Sequence, residues 1–304
     1  MRDEKGKIVF KKNGEPKTKK VFALKEKLNK KIKLIVLDEG SMVNKEIGED
    51  LLSFQIPVIV LGDLNQLPPV FGNPFFLKNP TIVLKKIMRQ AENDPIIWLS
   101  QQVLAKKPLQ IGVYGKSAVM NRNDLLPNHF SEANVTLTCT NRLRYNVNNF
   151  YRESIKRIVN LQYPHVGEKV VCRKNNWNKS IHKEFYLTNG TTGFVTYYYR
   201  DSFNGKTMKI DMRPDFSKEE FKNICFDYQR LFSVPGKNND LEGNYFNDII
   251  EFAYALTVHT TQGSQYPNVL FLNEENEMGG NEEFRRKLKY TAITRATKQI
   301  IIAM

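Results

Sequence analysis

Two short apolar runs in this 304-residue chain end in carboxylates. Lys33–Leu37 runs into Asp38-Glu39, and Pro57–Gly62 runs into Asp63. Ligands of open α/β sheets gather at the carboxyl ends of strands. An acid pair there suits nucleotide hydrolysis: the first acid can hold Mg²⁺, mostly through water, and the second can position or deprotonate the attacking water. The other reading of a strand-end carboxylate is a cap on the next helix. Further polar groups with chemical potential recur along the chain: Gln66, Arg89, Thr140-Asn141, Thr257, His259, Gln262-Gly263 and Arg295.

The elements that must position these groups are legible as alternating runs. Strand-like stretches fall at 33–38, 57–63, 134–139, 252–258, 269–272 and 299–303, apolar on both faces as parallel strands covered by helices are. Helical patterns fall at about 44–53, 90–106, 142–158 and 282–296. This alternation predicts an α/β architecture. Two regions depart from it. Residues 7–12 and 17–24 are strand-like and flank Asn13-Gly14, a strong hairpin-turn dipeptide. Residues 164–235 are rich in Gly, aromatic and turn residues, including Tyr197, Tyr198 and Tyr199, and predict short antiparallel strands.

Composition limits the function classes. The net charge is +14, and residues 1–33, with 13 Lys/Arg against 4 Asp/Glu, carry +9 of it. A charge of this sign favours a polyanionic partner. Hydrophobic content of 41% is that of a globular chain, which excludes a disordered tail or fibre. No apolar run approaches the roughly 20 residues of a membrane helix, so no membrane partner is expected. Cys139, Cys172 and Cys225 are widely spaced, and the four histidines are isolated. That pattern predicts buried thiols in a reducing cytoplasm, without disulfides or a zinc site.

Four blocks carry a resemblance when taken in order. They are Asp38-Glu39-Gly40-Ser41, Gly62-Asp63-Leu64-Asn65-Gln66-Leu67-Pro68-Pro69-Val70, His259-Thr260-Thr261-Gln262-Gly263-Ser264 and Tyr290-Thr291-Ala292-Ile293-Thr294-Arg295-Ala296. They resemble Walker B and motifs III, V and VI of superfamily 1 helicases, in the RecD-like and Dda-like branch. Leu84–Arg89 resembles motif IV of that family. Thr140-Asn141 resembles its DNA-contacting step in the second motor domain. Gly167–Val170 and Asn189–Gly193 resemble the Src-homology-3-like barrel that the branch inserts there.

The resemblance implies two RecA-like motor domains of the P-loop NTPase fold. The first, incomplete, spans 1–108, with 1–33 forming a basic hairpin like the pin over which duplex is split. The second spans 109–304 and holds the barrel-like insertion at 164–235. It implies a DNA helicase, hydrolysing ATP with Mg²⁺, that moves 5′ to 3′ on single-stranded and fork DNA in replication, recombination or repair. Asp38 would hold Mg²⁺ and Glu39 would be the base. Gln66, Arg89 and Arg295 would sense the γ-phosphate, with Gln262 and Gly263 beside the nucleotide. Pro68, Phe71, Thr140, Asn141, Thr257, His259, Lys11 and Lys12 would meet DNA.

Departures qualify these expectations. Motif V of the family usually reads Lys-Ser-Gln-Gly-Ser-Glu, against Thr260–Gln265 here, and Gly40 replaces a common Ala. The family's Walker A loop, Gly-x-x-x-x-Gly-Lys-Ser/Thr, is absent before the Walker B strand. Gly115-Lys116-Ser117 and Gly205-Lys206-Thr207 share only its ending. Without that loop nothing cradles the β- and γ-phosphates. The chain alone is therefore expected not to turn over ATP. It reads as the C-terminal part of a split or truncated helicase, completed by a separate polypeptide bearing the Walker A segment. The alternative is a catalytically inactive DNA-binding remnant or accessory subunit.

Overall fold

The computed structural model describes residues 24–69, 72–77, 79–84, 94–159, 161, 163–199, 207–227, 231, 248–274 and 281–304. Lys11, Lys12, Phe71, Arg89 and all but the last residue of the expected 7–24 hairpin lie outside the described residues. Packing divides the chain into two compact units, Met1–Asp63 with Pro68–Thr81, and Leu64–Leu67 with Ile82–Met304.

In the first unit, β1 (Ile35–Leu37) and β2 (Val58–Val60) pair in parallel, Ile35 opposite Val58. Helix α1 (Lys45–Ser53) connects them, and the Asn44 side chain caps it by accepting from Ile47 N at 3.0 Å. Two glycines permit close packing here. A Cβ on Gly40 would lie 2.4 Å from Val60 Cγ1, and one on Gly48 would lie 2.2 Å from the Phe75 ring. The cover expected on both strand faces is present on one only among the described residues. Val36 and Ile59 are 59% and 49% exposed.

The second unit is built on a six-stranded sheet ordered β13-β5-β14-β15-β4-β3. Its strands are β3 (Gly112–Tyr114), β4 (Ser117–Met120), β5 (Val135–Thr138), β13 (Ala255–Thr257), β14 (Tyr266–Leu272) and β15 (Ala296–Ala303). All neighbours are parallel except the β3–β4 hairpin. Strand alternation fills two cores. Val269 and Phe271 of β14 and Ile300 and Ile302 of β15 pack with helices α2 (Pro95–Leu104) and α5 (Glu282–Ile293). Leu270, Leu272 and Ala303 pack on the other face with α3 (Pro127–Glu132) and α4 (Asn141–Phe150). This is the doubly covered parallel sheet that the apolar runs predict. Because Ile96, Leu99 and Val103 of α2 lie in that core, α2 belongs to the second unit, although the expected domain boundary fell after it.

Two features were not legible in the sequence. Gly115-Lys116 is the turn of the β3–β4 hairpin, with Gly115 at φ +58° and Ser117 buried in a strand, so Lys116 starts no phosphate-binding helix. The run 252–258, expected as one strand, serves two sheets. Phe252 ends β12 (Ile250–Phe252), which pairs with β6 (Lys169–Cys172), whereas Ala255 starts β13.

Strands drawn from the described residues between 169 and 252 form a five-stranded antiparallel sheet, β11-β10-β9-β6-β12, with a β7–β8 hairpin (Asn176–Ile181, Phe185–Leu187). The remaining strands are β9 (Thr192–Tyr199), β10 (Thr207–Pro214) and β11 (Phe221–Asp227). Its root is a buried ion pair: Arg152 Nε donates to Glu168 Oε1 at 2.7 Å, both side chains almost fully enclosed. Arg152 also donates to the carbonyls of Leu161 and Tyr163, so all three guanidinium nitrogens of the buried charge are hydrogen-bonded.

Candidate functional site

Asp38 and Glu39 stand at the carboxyl end of β1, as expected. Asp38 is exposed, and its Oδ1 accepts from Glu39 N at 2.8 Å. Glu39 lies in the left-handed region, φ 52° and ψ 41°, a conformation uncommon for a side chain of this kind. The turn is pinned from behind by Gly40 N donating to Leu61 O at 2.8 Å. Among the described residues no three acidic, His or Cys groups gather as a metal cage. A single exposed carboxylate fits Mg²⁺ that keeps most of its waters.

Residues 64–67 of the second motif block meet the third and fourth blocks inside the second unit. Leu67 is fully buried, and its backbone is held at both ends. Leu67 N donates to Thr291 Oγ1 at 3.1 Å, and Leu67 O accepts from Gln262 Nε2 at 3.1 Å. Arg286 of α5 reaches Asn65 Oδ1 at 3.4 Å. Blocks 65–67, 259–264 and 290–295 are thus one hydrogen-bonded assembly, although 195 residues separate Leu67 from Gln262. The buried Oε1 atoms of Gln66 and Gln262 have no hydrogen-bond partner among the described residues.

Arg295 fastens the same assembly. Its guanidinium is buried, and Nη1 donates to the carbonyls of Thr261 and Ser264 at 3.2 and 3.1 Å. Nε donates to Thr291 O, and Nη2 reaches Thr294 Oγ1. Gly263 turns the loop at φ +78°. His259 stacks on Phe284 with ring centroids 6.0 Å apart, and burial lowers its imidazole below the ordinary value, which favours the neutral form. Pro68, half-buried, follows Leu67 directly in the chain and is grouped with the first unit.

Thr140-Asn141 and Thr257 lie side by side because β5 and β13 are parallel neighbours with Thr138 opposite Thr257. Thr140 is the N-cap of α4, its Oγ1 accepting from Leu143 N at 3.1 Å. Its own N–H and O–H both go to Glu274, whose carboxylate also takes Cys139 N. Thr140 therefore positions the helix, and Asn141 is the exposed residue of the pair. Asn148 Oδ1 accepts from Ala255 N at 2.9 Å, and Nδ2 donates to Ala255 O, which fixes the edge strand β13 on α4.

Four residues outside the sequence-based set complete this edge: Arg144, Arg173, Glu251 and Glu274. Glu274 had a signal, since it follows the apolar end of β14 as Asp38-Glu39 follows β1. Arg144 is one turn along α4 from Asn141. Nothing in the local sequence marks Arg173 or Glu251, which reach the site through the β-rich region.

A model of the UvrD-like helicase C-terminal domain matches residues 252–303, the span from β12 through β15. The ATP-dependent RecD2 DNA helicase of Deinococcus radiodurans is 27% identical over 296 residues, covering 89% of this chain and 36% of that protein. The chain spans about a third of the length of the curated relatives it matches. In fold it is similar to the Pif1 helicase from Bacteroides in complex with ADP-AlF3 and ssDNA (TM-score 0.53, 16% identity, 92% of this chain and 74% of that one). It is similar as well to the Pif1 helicase from Candida albicans (TM-score 0.51, 16% identity, 90% and 72%). The matched C-terminal segment and the likeness to the RecD2 helicase agree with the resemblance that the motif order carries, to superfamily 1 DNA helicases of the RecD-like branch, and the Pif1 structures share the α/β fold.

Proposed function

We propose that the chain is a helicase motor portion that binds single-stranded DNA, at forks among other places, and moves along it 5′ to 3′ when ATP is hydrolysed. The observation that carries this reading is the assembly of 65–67 with 259–264 and 290–295 through Leu67, Gln262 and Thr291. Blocks far apart in sequence converge as a nucleotide-responsive device requires. Bound ATP with Mg²⁺ supplies the phosphoryl chemistry. Asp38 offers the metal one exposed carboxylate, and Glu39 activates water. Gln66, Gln262 and Gly263 lie beside the nucleotide, and Asn141, Thr257 and His259 meet DNA phosphates. Two RecA-like domains, with the antiparallel sheet as an insertion in the second, are the architecture of this proposal.

Hydrolysis in this reading requires a Walker A segment, which the 304 residues do not contain. The exposed Val36 and Ile59 of β1 and β2 suit such a segment as cover. The inactive remnant or accessory subunit remains a second reading. It is favoured by Arg295, whose Nε and Nη1 donors go to backbone carbonyls of its own unit.

The test uses the purified chain. Single-stranded oligonucleotides should bind with little regard to sequence and with strong salt dependence. ATP turnover should be absent for the chain alone and should arise on adding a polypeptide with the Walker A loop. Glu39→Gln should then abolish turnover while DNA binding persists. Absence of single-strand binding would sink the whole reading, and turnover by the chain alone would sink the need for a second segment.

A further inference from the structure

A polar chain joins the two proposed DNA-contact steps of the second unit, and it runs through the root of the antiparallel sheet. Arg144 Nε donates to Asn141 Oδ1 at 3.2 Å. Its Nη1 and Nη2 grip Glu251 at 2.9 and 3.4 Å. The same Glu251 carboxylate holds Arg173 Nε at 3.3 Å. Arg173 Nη1 then donates to Thr260 Oγ1 at 3.0 Å, and Thr260 Oγ1 lies 2.9 Å from Thr257 Oγ1. Arg144 is buried, and Arg173 and Glu251 are 28% and 23% exposed.

The donor arithmetic gives the chain a purpose. With Oδ1 of Asn141 engaged by Arg144, what its exposed side chain has to offer a strand is its amide N–H groups. With one lone pair of Thr260 taken by Arg173, one proton of the Thr257–Thr260 hydroxyl pair bonds within the pair and the other is left to donate. These donors sit at the carboxyl ends of adjacent parallel strands, β5 and β13. Two guanidinium groups are held in place by one carboxylate, so a change at that carboxylate releases both.

We infer that Glu251 is a positioning residue for single-strand binding: through Arg144 and Arg173 it aims Asn141 and the Thr257–Thr260 pair at the strand's phosphates. This rests on the DNA-binding reading of the same edge. Glu251 lies in β12, an edge strand of the antiparallel sheet, so the sheet bears on single-strand binding through this hub.

The sign of one substitution separates positioning from plain charge. Glu251→Gln removes a negative charge beside the proposed strand path, so electrostatics alone predicts tighter binding, most of all at low salt. Gln also turns an N–H₂ group toward one guanidinium, which releases it. Positioning therefore predicts weaker binding, about tenfold. The loss should be similar from roughly 50 to 200 mM salt, because misplaced neutral donors are not screened as charges are. The probe is fluorescein-labelled oligothymidylate, read by anisotropy on the full chain below its melting temperature, which circular dichroism sets for each variant. In an Asn141→Ala/Thr260→Ala background, Glu251→Gln should cost nothing further. Unchanged or tighter binding by Glu251→Gln, or an equal loss in the double-variant background, overturns the proposal and leaves the DNA-binding reading standing. A wild-type chain that fails to bind the probe overturns both.

Discussion

Strands β1 and β14 are written in the same alphabet, Ile-Val-Leu against Val-Leu-Phe-Leu, and both end near carboxylates. Their surroundings differ. In β14 alternate residues feed two cores, with Val269, Leu270, Phe271 and Leu272 all buried. In β1, Val36 is more than half exposed, and its partner Ile59 in β2 nearly so. An apolar run thus specifies a strand with two faces to cover, while neighbours from elsewhere in the chain decide whether both are covered. The carboxylates follow the same division. Glu274 after β14 is buried and spent on backbone amides of the α4 cap, while Asp38 after β1 is open to solvent. A carboxylate available for chemistry occurs where packing is incomplete, and a carboxylate used for structure occurs where it is complete.

The largest effect expected from this contrast is at Leu67. Leu67→Ala should cost about 2–5 kcal/mol in the second unit, and native-state hydrogen exchange of the β14 amides should register it. Ile59→Thr, read in the same way on the β1 amides, should stay within about 0.5 kcal/mol. A comparable loss at both positions would break the comparison.

Gly40→Ala sharpens it from the other side. The new Cβ would lie 2.4 Å from Val60 Cγ1 and 3.2 Å from Leu61 O. A cost of about 1–3 kcal/mol is expected, with the Asp38-Glu39 turn displaced. Unaltered exchange at Leu61 N, which donates to Leu37 O at 2.8 Å, would show that the covered face of the first unit is looser than its geometry states.

The smallest effect concerns His259. Burial lowers its imidazole below the ordinary 6.5, so the folded state takes up the proton less readily than the unfolded chain. The stability this group contributes is complete above about pH 6.5 and is lost as pH falls through that value toward the folded one. The melting temperature should decline over this window, and His259→Asn should remove that part of the slope. An identical profile in the variant would show the imidazole to be solvated.

Much of the fold was legible because strands and helices here follow local periodicity. The expected helices at 44–53 and 282–296 appear as Lys45–Ser53 and Glu282–Ile293, with Asn44 and Asn281 as caps. The β3–β4 hairpin and α3 went unread because they are short and Gly115-Lys116-Ser117 mimicked a different motif. The split of 252–258 into β12 and β13 was equally hidden. Phe252 and Ala255, with two residues between them, belong to different sheets, and no local pattern encodes that.

Residue types and order by themselves determined the alternation of elements, the acids at the ends of β1 and β2, and the four motif blocks that mark the helicase resemblance. Those are properties of short windows, where side-chain chemistry and backbone preference act over a few residues. The tertiary structure alone decided which groups are spent and which are available. It committed Thr140 to Glu274, clasped Arg295 in the carbonyls of the 261–264 loop, left Asn141 exposed, and strung Arg144, Glu251 and Arg173 between two strand ends. The reason is that a hydrogen-bonding group has a fixed number of donors and acceptors, and burial requires each to be filled by whatever the fold brings near.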